Sequence, residues 1–142
     1  MKRLNLFKTF VLMAASMLMF SSCQKDPEEL LIGEWMVVSS VEEYFIDGVS
    51  DEVIYDDQVG LMHNYRDDGT LVVDYGDGDL YLLSWTYADD VITLTDPTMP
   101  GESMGLYVNL IDEEKLEISY TENLGDGESV KGDWKLVRHN NE

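Results

Sequence analysis

Short runs rich in β-branched and aromatic residues recur along the chain, separated by Gly and Asp clusters roughly every ten residues, and no long stretch keeps a 3.6-residue apolar period after residue 23. The runs fall near residues 33–46, 60–66, 70–75, 80–88, 91–95, 104–111, 115–121 and 130–138, which predicts eight strands. Leu106, Val108 and Leu110 share one side of their strand, and Leu116, Ile118 and Tyr120 share one side of the next, opposite Glu117, Ser119 and Thr121. In the last run Trp134 and Leu136 alternate with Asp133 and Lys135. Each of these strands therefore has one buried face. The run around Trp85 is apolar on both faces at its start, because Leu80 and Leu82 oppose Tyr81 and Leu83, and the long connection from Asp47 to Val59 is expected to cover one of them.

The breaks carry turn chemistry. Asp67-Asp68-Gly69, Ala88-Asp89-Asp90 and Asp112-Glu113-Glu114 each sit between two strand-like runs and predict hairpins. The segments Asp74–Asp79 and Asn123–Gly127 make further turns, and Asp96–Gly101, with two prolines, is a loop, since Pro cannot donate to a sheet ladder. Consecutive antiparallel hairpins predict an all-β fold: an eight-stranded antiparallel up-and-down barrel, whose closure leaves no exposed edge.

The amino-terminal segment is of a different kind. Lys2, Arg3 and Lys8 precede an uncharged run from Phe10 to Phe20, long enough for the core of a signal peptide and too short to span a bilayer. An ordinary signal peptidase is a poor fit. Cutting before Cys23 would put bulky Phe20 three residues from the cut, and cutting after Ser16 would leave about four apolar residues of core. Phe20-Ser21-Ser22-Cys23 resembles a lipobox, with Phe20 in place of the usual leucine. That resemblance implies removal of residues 1–22, lipidation of Cys23 and an outer membrane lipoprotein. Gln24 to Glu29 resembles the Lys-plus-acid tag that marks some lipoproteins of Gram-negative bacteria for the cell surface, although a solvated tether reads the same way. The expected organisation is a signal at 1–22, a lipidated tether at 23–30 reaching about 25 Å when extended, and a barrel domain at 31–142.

The remaining 120 residues suit one domain with a single core. They hold all 29 acidic residues but only six of the nine basic ones, a net charge of −23. This excludes most nucleic-acid binding, which needs Lys and Arg on phosphates, and disfavours lying flat on an anionic lipid surface. Cys23 is the only cysteine, so the fold can have no internal disulfide and must hold by its core.

Gly33-Glu34-Trp35 at the head of the first strand and Arg138 at the end of the last resemble the lipocalin pattern, in which a first-strand Trp closes the barrel floor beneath a late basic residue. The order of lipobox, Gly-x-Trp, Asp68-Gly69-Thr70 hairpin and Trp134-Lys135-Leu136-Val137-Arg138 is similar to that of compact lipocalin-like lipoproteins of Gram-negative bacteria. The resemblance implies a lipocalin-like meander with Trp35 and Arg138 on its floor and a small apolar or amphipathic ligand within. Trp85, Leu106, Val108, Ile118 and Trp134 are then the candidate ligand wall. An eight-stranded barrel holds side chains or one small ligand. The alternative reading is a surface module of adhesin or protease-inhibitor type, with a solid core and acidic loops that take a cationic protein partner.

Enzyme motifs are weak. Gly101-Glu102-Ser103-Met104-Gly105 fits Gly-x-Ser-x-Gly, with His139 later in the chain, but that motif needs a strand before it and a helix after it. Adjacent turn acids do not face each other across a cleft as glycosidase carboxylates do. Asp74–Asp79 misses the EF-hand spacing, and His63, with no second His or Cys near it, makes no transition-metal site and is expected to be half-buried or exposed. No cofactor and no catalytic residue are expected.

Overall fold

The structure, a computed structural model, describes residues 25–99 and 101–140. The expected signal at 1–22 and Cys23 lie outside the described residues. A helical turn, α1 (Pro27–Leu31), precedes nine strands: β1 (Gly33–Ile46), β2 (Val49–Tyr55), β3 (Met62–Tyr65), β4 (Thr70–Asp74), β5 (Leu80–Ala88), β6 (Val91–Thr95), β7 (Ser103–Ile111), β8 (Lys115–Gly125) and β9 (Glu128–Arg138). The sheet order is β2-β1-β3-β4-β5-β6-β7-β8-β9, and β1 also pairs with β9. Eight strands thus close into the expected up-and-down, lipocalin-like barrel.

The ninth strand, β2, lies in the segment read from sequence as a loop. Asp47 and Gly48 take φ of 51° and 78°, the left-handed pair of a two-residue hairpin, and fold β2 back along Val41–Ile46 of β1. The same edge of β1 then pairs with β3 through Gly33–Met36. Between them Asp56 N–H donates to the Ser40 carbonyl at 2.8 Å, and Val37 N–H to the Leu61 carbonyl at 2.9 Å, so residues 56–61 fill the gap. Since this segment is held by β1, it does not cover β5, and Leu80 and Leu82 remain exposed.

The floor is built at the start of the chain. Asp26 caps α1 by accepting from Glu28 N–H, Pro27 occupies the first helical position, and Glu28 and Glu29 face the helix start, where negative charge is favourable. The expected tether is therefore folded from Pro27 onward. Leu31 is fully buried, and its carbonyl accepts from Trp35 Nε1 at 2.8 Å. Arg138 stacks 3.9 Å above the Trp35 ring and donates to the carbonyls of Leu30, Ile32 and Glu113. Gly33 has a φ of 127°, and a Cβ there would meet Arg138 Nη1 at 2.6 Å, so both backbone and space require glycine.

Above the floor lies one continuous core that includes Val37, Tyr65, Leu71, Ile92, Leu116 and Leu136. Turn acids act as the sequence suggests: Asp68, Asp74, Asp77, Asp96 and Asp112 each accept a backbone N–H two residues on.

Candidate functional site

Two bulges decide which side chains face inward. In β1 the register against β9 shifts between Val37 and Ser39. Trp35 and Val37 point into the barrel before it; Ser40, Glu42 and Tyr44 do so after it. In β7 a shift between Val108 and Leu110 turns Ile111 toward the core and leaves Leu110 exposed, against the alternation expected for Leu106, Val108 and Leu110.

The registers of β1, β9 and β8 then stack inward-facing rows from floor to open mouth. Val37, Leu136 and Leu116 form the lowest; Ser40, Trp134 and Ile118 the next; Glu42, Gly132 and Tyr120 the third; Tyr44, Val130 and Glu122 the last. The lining changes from apolar to polar along this axis.

The third row is the chemical centre. Gly132 has no side chain, and the Tyr120 ring lies over it so closely that a Cβ at 132 would overlap Cε1. Crossing this gap lets Tyr120 Oη donate to Glu42 Oε1 at 2.5 Å, while Tyr44 Oη reaches Oε2 at 3.4 Å. Both carboxylate oxygens are acceptors. Glu42 is only 6% exposed, and among the described residues no basic side chain pairs with it. Burial raises the Tyr120 phenol pKa above its ordinary value, and the hydrogen bond to Glu42 and its charge add to this; burial and Glu42 act the same way on Tyr44.

An aromatic chain leads away from this row. Trp134 meets Tyr120 edge-on at 5.5 Å and His63 at 5.7 Å; Tyr65 lies 6.0 Å from His63, and Tyr65 meets Trp85 at 5.4 Å. His63 is 3% exposed rather than half-buried, because its strand is fully enclosed on that face, and burial lowers its pKa to about 4. It is a neutral ring in contact with Tyr65 Oη at 3.5 Å through Nδ1. Trp134 Nε1 is buried with no hydrogen-bond partner among the described residues.

On the opposite lip, Tyr75 and Tyr81 pack edge-on at 5.1 Å and are about half exposed. The Tyr75 phenol pKa is raised first by burial, with smaller contributions from Tyr81, Asp77 and Glu42. Between this lip and β8 a cavity of about 220 Å³ is lined by Leu83, Leu94, Met99, Met104 and Glu122, among others.

The five residues expected to form a ligand wall do come together, but below the mouth. Trp85, Leu106 and Ile118 are buried in the core, with Trp85 Nε1 donating to the Arg66 carbonyl at 3.0 Å, and Val108 and Trp134 pack against them. None of the five borders the mouth cavity, and Glu42, Tyr44 and Tyr120 lie beside rather than in its lining, joined to it through Glu122 in the row of Tyr44. Trp35 and Arg138 are stacked on the floor. Ser103 opens β7 at the mouth end, whereas His139 follows β9 at the floor and donates its backbone N–H to the Glu34 carbonyl. Among the described residues no group of three or more His, Cys, Asp or Glu side chains is arranged to hold a metal ion.

No protein-family model and no curated protein matches the chain. A solved structure of a lipocalin-like protein from Bacteroides uniformis is similar to it, at 15% identity and a TM-score of 0.45, covering 78% of this chain and 99% of that one.

Proposed function

We propose that this protein is a membrane-tethered lipocalin-like barrel that binds one small amphipathic molecule at its open mouth. The observation that supports this reading is the change along the barrel axis. The lower interior is filled by its own side chains, and toward the mouth buried Glu42 gives way to half-buried Tyr44 and exposed Glu122, beside half-exposed Tyr75 and Tyr81. A ligand would therefore sit above the aromatic core rather than inside it, with the polar rows fixing its orientation.

Lipidation of Cys23 is part of the reading. Only three residues separate Cys23 from Pro27, at most about 14 Å of chain. An anchor there would hold the floor toward the lipid and turn the mouth away from it. The binding function needs neither catalysis nor a cofactor.

The test is native mass spectrometry of the mature chain after exposure to an extract of its source cells. A bound mass of a few hundred daltons, lost in Met104→Arg and kept in Val49→Arg, is the expected result. An apo spectrum in every case would defeat the reading. It would favour the second one, a surface module for a cationic protein, which draws on the exposed Val49, Val53 and Tyr55 of β2 and on the surplus of acids.

A further inference from the structure

The chemistry of the mouth narrows the ligand class, an inference that rests on the mouth-binding reading above. We propose that the site takes an organic ammonium ion, seating the cationic nitrogen against Glu42 and the phenol oxygens of Tyr44 and Tyr120 and laying the apolar body along the mouth cavity.

Three observations converge. First, a carboxylate held 94% from solvent has no cation of its own within the described residues, and buried charge calls for a partner. The two phenols occupy two of its roughly four acceptor directions, and each phenol oxygen can itself still accept. Second, the surroundings are aromatic and carry no positive charge: the hydroxyls of Tyr44 and Tyr120 touch the carboxylate, and Trp134 meets Tyr120 edge-on. One carboxylate flanked by phenol oxygens suits an ammonium, which needs few acceptors, whereas a hard divalent cation asks for several oxygen ligands.

Third, the protein's own cations are elsewhere. Lys25, Arg66, Lys115 and Arg138 lie at the floor end, while Lys131 sits over Phe45 and Lys135 is paired with Glu117 on the outer face of β9. Glu122, Asp74, Asp77, Asp96, Glu102 and Asp126 crowd the mouth end, so an approaching cation is drawn in and an anion repelled.

The test uses the mature chain in non-ionic detergent with three probes that share a phenyl group: phenethylammonium, 2-phenylethanol and 3-phenylpropanoate. Binding is followed by NMR shifts of the Tyr120 and Gly132 amides and the Trp134 indole N–H. The expected result is that the ammonium binds on the order of tenfold or more tightly than the alcohol, and the anion not at all. Glu42→Gln, which keeps an acceptor for Tyr120 and offers an N–H donor to the Tyr44 oxygen, should erase that preference; Glu117→Gln on the outer face should keep it. Tyr44→Phe should weaken the ammonium severalfold and leave the alcohol unchanged. The three-probe comparison stands on the unsubstituted protein whether or not a variant folds.

Equal binding of the alcohol or anion at the mouth would overturn the ammonium inference and leave the mouth-binding reading intact. Equal weakening by Glu42→Gln and Glu117→Gln would reduce the effect to bulk charge and overturn it. No shift at these amides with any probe up to millimolar concentration would overturn it too, and the cell-extract spectrum would then decide the broader reading separately.

Discussion

Gly132→Ala isolates the contact that builds the mouth. A methyl group at 132 would occupy the space of the Tyr120 ring, which is pinned at one end by Glu42 and along its edge by Trp134. The ring cannot yield without losing the hydrogen bond. Overpacking of this kind costs about 1–3 kcal/mol, and loss of a hydrogen bond to a charged group about 1.5–3 kcal/mol. Because Tyr120 still keeps part of its packing when displaced, we expect a loss of roughly 2–4 kcal/mol, read as a lower urea midpoint at unchanged slope. Tyr120→Ala alone should cost about 3–5 kcal/mol through the cavity it leaves. In the double variant the added methyl has no ring to meet, so the two costs must fall short of their sum by about 2 kcal/mol or more. Strict additivity in the double-mutant cycle would refute the argument that the glycine exists to let Tyr120 reach Glu42.

Other consequences are open to measurement. With the His63 pKa at about 4 in the folded state and 6.5 unfolded, the unfolded chain binds the proton first, so stability is full above pH 6.5 and falls as pH drops toward 4. Between pH 6.5 and 5 this amounts to about 2 kcal/mol, and comparing urea midpoints with those of His63→Gln should show the variant losing less over that interval. Arg138→Lys keeps a charge but not the fork that serves three carbonyls, and should lower stability by about 1–2 kcal/mol in thermal unfolding. Gly33→Ala, which strains φ and meets Arg138, should cost at least about 2 kcal/mol. Cys23→Ser should shift the protein from the membrane pellet to the soluble fraction on cell fractionation, and continued sedimentation with membranes would refute lipid anchoring.

Much of the fold can be read in the sequence because strands and turns there obey local rules. The Asp-rich breaks at 67–69, 89–90 and 112–114 are hairpins, and the Gly-x-Trp and terminal Arg meet on the floor. β2 was legible too, since Asp47-Gly48 is a strong two-residue hairpin signal. Its strand, VSDEVIY, has its one apolar face, Val49, Val53 and Tyr55, broken by Asp51, and so reads as a loop. α1 carries its own start signals in Asp26-Pro27-Glu28-Glu29, but five residues make a helix only when a barrel floor is there to bury Leu31. The depth of His63 depends on contacts with Trp134 and Tyr65, of which only the second is local in sequence.

Glu42 was not legible because a bulge reverses the parity of its strand. Strict alternation from Trp35 and Val37 would carry inward through Ser39, Val41 and Glu43, with Glu42 outside. The extra residue at Val38 exchanges these sets and sends Ser40, Glu42 and Tyr44 inward. Deleting Val38 should therefore remove the bulge and leave Trp35 and Val37 as well as Ser40, Glu42 and Tyr44 inward, because Val37, Ser39 and Ser40 then alternate in, out, in, and the Tyr120–Glu42 contact should survive. A folded deletion variant whose Tyr120 and Gly132 signals show the contact with Glu42 lost would refute the argument that strand parity aims Glu42 into the barrel.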